Sequence, residues 1–252
     1  MNNQLLSCIM RIAKLMVSSG AEIYRVEESV TRICRAYGVE NADVYATTSQ
    51  VVVTVEMPDY GILTHSGRIN RIANHVERVD RLNNLVRCMT AETPDAEEVE
   101  KYLAEVQQTP SYSRVSRLLS FGLIAGTFCV FFGARSATET LLATAVGCLL
   151  GLCTIALEDM DANKLLIRFA CAFLASVLAF LGVRAGLAEQ VDYIIIGNIM
   201  TLIPGVGLTN ALRDLFTGDN LSGALRLIEA VLMAFVIAAG YLLGSWLLGG
   251  AV

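Results

Sequence analysis

Apolar and polar positions follow two different patterns along this chain. Through the first hundred or so residues, hydrophobic side chains recur at helical spacing. Leu5, Ile9, Ile12, Leu15 and Met16 predict one amphipathic helix; Ile23, Val26, Val30, Ile33, Cys34 and Tyr37 predict a second, with Gly38 as its stop. From Asp43 the period changes. Val44–Thr47, Val51–Met57 and Ile62–Ser66 are rich in β-formers, and Pro58, Asp59, Tyr60 and Gly61 supply a turn, which together predict a three-stranded meander. After Gly67, the apolar positions Ile72, Val76, Val79, Leu82, Val86 and Met89 predict another amphipathic helix, and Asp95–Val106 a shorter one.

Beyond Arg117 the pattern becomes continuous. Five apolar segments follow, Leu118–Ala134, Thr140–Leu157, Leu165–Val183, Tyr193–Leu212 and Ala230–Val252, of 17, 18, 19, 20 and 23 residues. A helix needs ~20 apolar residues to cross the hydrocarbon of a bilayer. Arg168 is the one charged residue inside any of the five, near an end from which it can snorkel. The chain is therefore expected to be an α+β domain over residues 1–113, followed by an all-α membrane domain of five transmembrane helices over residues 114–252. Basic residues set orientation. Arg114, Arg117, Lys164, Arg168, Arg213 and Arg226 fall on one side and Arg135 and Arg184 on the other, which predicts a cytoplasmic N-terminus and Val252 outside.

Composition agrees with this division. Of 252 residues, 54% are hydrophobic and 17% charged, with a mean hydropathy of +0.55. The first 117 residues hold 13 Lys+Arg and 15 Asp+Glu, the rest only 6 and 9. A single soluble globule is thereby excluded, and the net charge of −5 argues against nucleic acid as a partner, which calls for a basic footprint. Membrane lipid is the expected surrounding. The seven cysteines include Cys129, Cys148, Cys153 and Cys171 within apolar runs and show no metal-ligand spacing, so neither a metal nor a disulfide framework is expected. His65 and His75, the only histidines, accompany no nucleophile motif, and no catalytic residue is assigned. No cofactor is expected either.

The fourth apolar segment carries the unusual chemistry. It runs Gly197-Asn198-Ile199-Met200-Thr201-Leu202-Ile203-Pro204-Gly205-Val206-Gly207-Leu208-Thr209-Asn210, then Ala211-Leu212-Arg213-Asp214. Pro204 removes a backbone donor at a point near mid-membrane, and a break within Ile203–Gly207 is expected, lining a cavity. A simple kink, with Asn198, Thr201, Thr209 and Asn210 bonding between helices, is the plainer alternative. Ile195, by contrast, is expected to face lipid. Arg213 and Asp214 sit at the cytoplasmic end, and Asp219 and Glu229 are candidates of the same kind.

In the soluble half, Ser19 and Glu22 fit a capping box opening the second helix, with Arg25 placed to pair with Glu22 or Glu28 along its surface. Local physics asks nothing more of them. Arg68, Arg71, Arg78, Arg81 and Arg87 form a basic stretch that suits a solvated face, an anionic lipid surface or an anionic solute.

Taken together, Ser19-Gly20-Ala21-Glu22, Tyr24-Arg25-Val26-Glu27, Arg68-Ile69 and the run from Pro204 to Asp214 with Gly218-Asp219 resemble the threonine/serine exporter family over nearly the whole chain. The resemblance implies an inner-membrane export subunit of a secondary transporter, driven by an ion gradient, for threonine/serine or a dicarboxylate such as succinate. It implies Asn198, Thr201, Pro204, Gly205, Thr209, Asn210, Arg213, Asp214 and Asp219 as the substrate path, and Gly20, Glu22, Tyr24, Arg25, Glu27 and Arg68 as the soluble-domain motif. Family architecture comes either as one long chain or as a longer subunit with a short all-membrane partner. Five helices match the longer subunit, so a partner chain or a homo-oligomer is expected, with a small-molecule substrate. A membrane-bound hydrolase acting on amino-acid derivatives and a non-transporting regulatory subunit are the alternatives.

Overall fold

The computed structural model describes residues 3–57, 61–110 and 112–249. The expected turn at Pro58, Asp59 and Tyr60 and the terminal Val252 lie outside the described residues. The chain divides into two compact units: Met1–Ser111 with Val206–Leu227, and Tyr112–Gly205 with Ile228–Val252.

In the first unit, helices α1 (Asn3–Ser18) and α2 (Ile23–Ala36) precede strands β1 (Ala42–Ala46), β2 (Gln50–Met57) and β3 (Gly61–Arg68); α3 (Val76–Glu92) and α4 (Ala96–Gln107) follow. The strands form an antiparallel meander in the order β1-β2-β3, with Val53 opposite both Val44 and His65. Val51, Val53, Val55 and Met57 of the central strand point to one face and are buried against Leu6, Ile9, Ile12, Met16, Val26, Val30 and Met89. Each fully buried aliphatic side chain in such a core contributes ~1.5–3 kcal/mol. The third helix starts four residues later than Ile72, because His75 takes the N-cap position and accepts from the Arg78 amide at 3.2 Å. Asp95 caps α4 by accepting from the Glu98 amide at 2.8 Å.

The turn between α1 and α2 departs from expectation. No capping box forms. Gly20 has φ +92°, and its amide and that of Ala21 donate to the carbonyls of Val17 and Met16. This is a Schellman stop for α1, with glycine in the left-handed position. Glu22 is itself the N-cap of α2, and its carboxylate makes no capping bond. A carboxylate so placed remains available to other partners.

The second unit contains α5 (Arg114–Phe131), α6 (Ala137–Asp159), α7 (Lys164–Arg184) and α8 (Val191–Ile199), with the later part of α10 (Asn220–Gly249). Close backbone approach packs them: a Cβ on Gly147 would stand 2.7 Å from the Phe121 carbonyl oxygen, and one on Gly240 2.5 Å from that of Phe169. At one end, Arg114 and Arg117 pair with Asp159 at 3.1 Å and Glu158 at 2.6 Å.

Among the described residues, four helices are long and apolar enough to cross a membrane: α5, α6, α7 and α10. The expected fourth span is not one helix. It is divided into α8, of 9 residues, and α9 (Gly205–Thr217), with a non-helical stretch over Met200–Pro204. Nine residues rise about 13 Å at ~1.5 Å each, short of a hydrocarbon core of ~30 Å. The break precedes Pro204 rather than following it. Proline disfavours helical backbone in the residue before it, here Ile203, and is tolerated at a helix start. Ile195 is another correction: it is 4% exposed and packed with Ile194, Cys129 and Ala143.

Candidate functional site

The Schellman turn fixes the starting geometry. Because Gly20 turns the chain back, the carbonyls of Gly20 and Ala21 point away from both helices and take donors distant in sequence. The Asn210 amide on α9 donates to the Gly20 carbonyl at 3.2 Å, and the Arg226 guanidinium on α10 to the Ala21 carbonyl at 3.1 Å. The carbonyls of Ser18 and Ser19 accept from the amides of Ala73 and His75 at 2.8 and 2.9 Å. Four successive carbonyls of one turn are thus held by three other parts of the first unit.

Beside this turn lies a charge cluster. The Glu22 carboxylate, 13% exposed, meets Arg25 Nε at 2.6 Å and also pairs with the Arg213 guanidinium. Arg25 additionally donates to the Tyr24 hydroxyl at 3.1 Å. Two guanidiniums face one carboxylate, so the cluster keeps a surplus positive charge. Both arginines are about half exposed, at 53% and 47% of the side chain, and can reorient toward a second anion. The cluster borders a cavity of about 210 Å³ lined by Ser19, Glu22, Arg25, Asn74, Asn83 and Asn210, with Met16, Val76, Val79 and Val206 as apolar wall. Three amide side chains, a hydroxyl and an ion pair around a small apolar floor are what a small hydrophilic solute needs.

Behind the cluster is a buried ion pair. Asp214 is fully buried, and its Oδ2 lies 3.3 Å from Arg226 Nε, itself 8% exposed. Burial pushes the Asp214 carboxyl above the usual carboxylate range, opposed by Arg226 and by the nearby Ile23 backbone amide. Asp219 is raised by burial as well. Glu27 is raised by burial in spite of accepting from the Ala46 amide at 2.8 Å.

The candidate residues therefore separate. Gly20, Glu22, Tyr24, Arg25, Glu27, Asn210, Arg213, Asp214 and Asp219 belong to the first unit, and so does Thr209. Asn198, Thr201, Pro204 and Gly205 belong to the second. There, Asn198 Nδ2 donates to the Ile194 and Ala143 carbonyls at 2.8 and 3.3 Å, and the Thr201 hydroxyl to the Asn198 carbonyl at 2.7 Å. Arg68 is in the first unit but lines a different cavity. His65 stands on the exposed strand β3, and His75 is a helix cap. Sequence reasoning missed Asn74, Asn83 and the role of Arg226. The signal for Arg226 was present: an arginine within the apolar run Leu225–Ile228 has to find a partner. Nothing in the local pattern marked the two asparagines.

Comparison with known proteins follows from the same segments. The family model described as "Putative threonine/serine exporter" matches residues 7–248. The chain is 25% identical over 244 residues to a protein of Corynebacterium glutamicum named threonine/serine exporter, covering 93% of this chain and 49% of that one, so it spans about half the length of that relative. It is 24% identical over 245 residues to a Klebsiella aerogenes protein named probable succinate transporter subunit YjjP, covering 96% and 93%. No solved structure matches.

Proposed function

The chain belongs to the threonine/serine exporter family, and from that premise we propose that it is the export subunit of a secondary transporter for small hydrophilic acids, recognising an α-amino acid of the threonine/serine class. One observation carries the choice of class: Glu22 lies between Arg25 and Arg213 at the mouth of a cavity lined by three asparagines. The substrate carboxylate takes the surplus positive charge of the two guanidiniums. Its ammonium takes Glu22, and its hydroxyl the amides of Asn74, Asn83 or Asn210. Asp219, raised by burial, is suited to exchange the proton that couples transport, while Asp214 and Arg226 hold α9 in place.

The succinate reading keeps one support, the name of the relative that this chain matches over 93% of its length. In that case Glu22 would oppose the second carboxylate. Glu22→Gln separates the two: threonine efflux falls at least tenfold while succinate efflux is kept or rises. Equal loss of both, or unimpaired threonine efflux, removes the amino-acid assignment.

The full transport unit is proposed to include a second membrane chain, supported by the word subunit in that same name. The setting is the bacterial inner membrane with residues 1–113 cytoplasmic. Val206–Leu227 fold with the N-terminal residues, and α5, α6 and α7 are long and apolar enough to make three crossings. If both parts of the first unit share one side, the chain recrosses between Arg184 and Val206, through α8 and the broken stretch. With α10 this makes five crossings, and a reporter fused after Val252 reads as extracytoplasmic; a cytoplasmic signal refutes the topology. Efflux from vesicles reconstituted with and without the second chain decides the assembly.

A further inference from the structure

A second cavity of the first unit, about 290 Å³, has a different chemistry. It is lined by Arg11, Lys14, Ser18, Arg68, Asn70 and Gln107. Arg11, Lys14 and Ser18 succeed one another at i, i+3 and i+7, so they share one face of α1. Arg68 is the last residue of β3 and Gln107 the last of α4. Arg11 pairs with Glu100 at 2.9 Å. Lys14 and Arg68 have no ion-pair partner among the described residues. The stem of Lys14 lies across Gly67, where a Cβ would stand 2.6 Å from its Cδ. Any other residue at 67 would push the lysine off this path. Three cations against one carboxylate leave two positive charges at one cleft, in a chain whose formal net charge is −5.

We propose that this cleft is a binding site for a small dianion, carrying either two carboxylates or one phosphate, and that it is separate from the Glu22 cluster. Lys14 and Arg68 each match one negative charge, and Ser18, Asn70 and Gln107 supply donors or acceptors for the remaining oxygens. A monoanion leaves one of the two cations unmatched. A zwitterion brings an ammonium toward two unneutralised cations, so the amino acids suited to the other cavity are poor ligands here. The site thus gives the soluble part of the transporter a way to sense an anionic metabolite that it need not carry.

The test is isothermal titration of the full-length chain in detergent, at constant ionic strength, with succinate, inorganic phosphate, acetate and threonine as probes. Succinate or phosphate is expected to bind saturably and at least tenfold more tightly than acetate or threonine; whichever of the two binds more tightly identifies the ligand class. Lys14→Gln and Arg68→Gln should each weaken that binding by about threefold or more, and Glu100→Gln should tighten it by about threefold by freeing Arg11, as expected for one unit charge near a water-exposed site. Thermal melting of each variant checks the fold, and Lys14→Gln with Glu100→Gln suffices if Arg68→Gln does not fold. Arg25→Ala should leave dianion binding in place. Absence of saturable dianion binding, indifference to both Lys14→Gln and Glu100→Gln, or abolition by Arg25→Ala would each overturn the proposal.

Discussion

The polar residues of one apolar stretch, Tyr193–Leu212 with the Arg213-Asp214 that follows, are used in two different ways on either side of its break. Before the break, Asn198 and Thr201 bond to backbone carbonyls, two of the three accepting groups lying within four residues in the same stretch. After it, Asn210, Arg213 and Asp214 meet Gly20, Glu22 and Ile23, some 190 positions earlier in the chain. In the first case the side-chain donors go to carbonyls that the helices already offer. In the second the side chains hold a turn and complete a charged cavity. A polar residue in an apolar run is therefore not informative by type alone; what matters is where in the chain its partners lie.

The largest test of this contrast is at the buried pair. Asp214→Ala leaves Arg226 charged and buried, and breaking such a pair costs ~3–5 kcal/mol. Thermal or denaturant unfolding should show it as a loss of folded protein in the first unit. Asn198→Ala loses two neutral bonds to carbonyls, each with a net worth of ~1 kcal/mol, and should unfold less readily than Asp214→Ala. The reverse order would mean that α9 is held by something other than the ion pair.

Next in size is Gly20→Ala. A left-handed backbone costs a residue with a Cβ ~1–2 kcal/mol, and that Cβ would also stand 2.7 Å from Asn74 Oδ1 at the cavity edge. Lower melting temperature together with weakened efflux is expected; full stability would remove the turn as the anchor of the site.

Arg25→Ala is predicted to change stability by only a few tenths of a kcal/mol, since the arginine is half exposed and Glu22 keeps Arg213 as a partner, yet to reduce efflux at least tenfold. Asn210→Ala should reduce efflux more than Leu212→Ala, which replaces a side chain 43% exposed on the same helix. Wild-type efflux from a folded Arg25→Ala protein would return Glu22 and Arg25 to helix decoration.

The smallest expected effect is on pH dependence. Burial raises the carboxyl of Glu27 above its unfolded value. The unfolded chain then releases this proton first, so the contribution of the neutral carboxyl is fully present below ~4.3, the ordinary glutamate value, and is lost as pH rises through the folded value. Glu27→Gln keeps an oxygen for the Ala46 amide but has no charge to desolvate. Its melting temperature should exceed that of the parent at pH 8 and match it at pH 4. A parent no less stable than Glu27→Gln at pH 8 would show that Glu27 is not strained by its burial.

Much of the molecule was legible in residue order because the information is local. The period of Leu5 to Met16, the alternation of Val51 to Met57 and the uninterrupted apolar runs of α5, α6 and α7 each describe how one element meets a solvent. Pro204 announced a break for a reason internal to the backbone, although its position moved to Met200–Pro204. Ser19 and Glu22 misled for the opposite reason: a capping box and a Schellman stop followed by a carboxylate that caps nothing place similar residues at similar spacing. Ile195 misled because apolar side chains facing lipid and facing a helix are chemically alike.

What the sequence alone determined, then, is the helices and meander of the first hundred residues, the long apolar helices that follow them and the family motifs. These rest on periodicity, length and charge, all properties of neighbours along the chain. What only the tertiary structure decided is that Val206–Leu227 fold with the N-terminal residues, that Glu22 lies between Arg25 and Arg213, and that Asn74 and Asn83 border the same cavity. Hydrogen bonds and ion pairs act over about 3 Å of space and are indifferent to separation in sequence. Nothing short of the folded chain could bring residue 22 to residue 213.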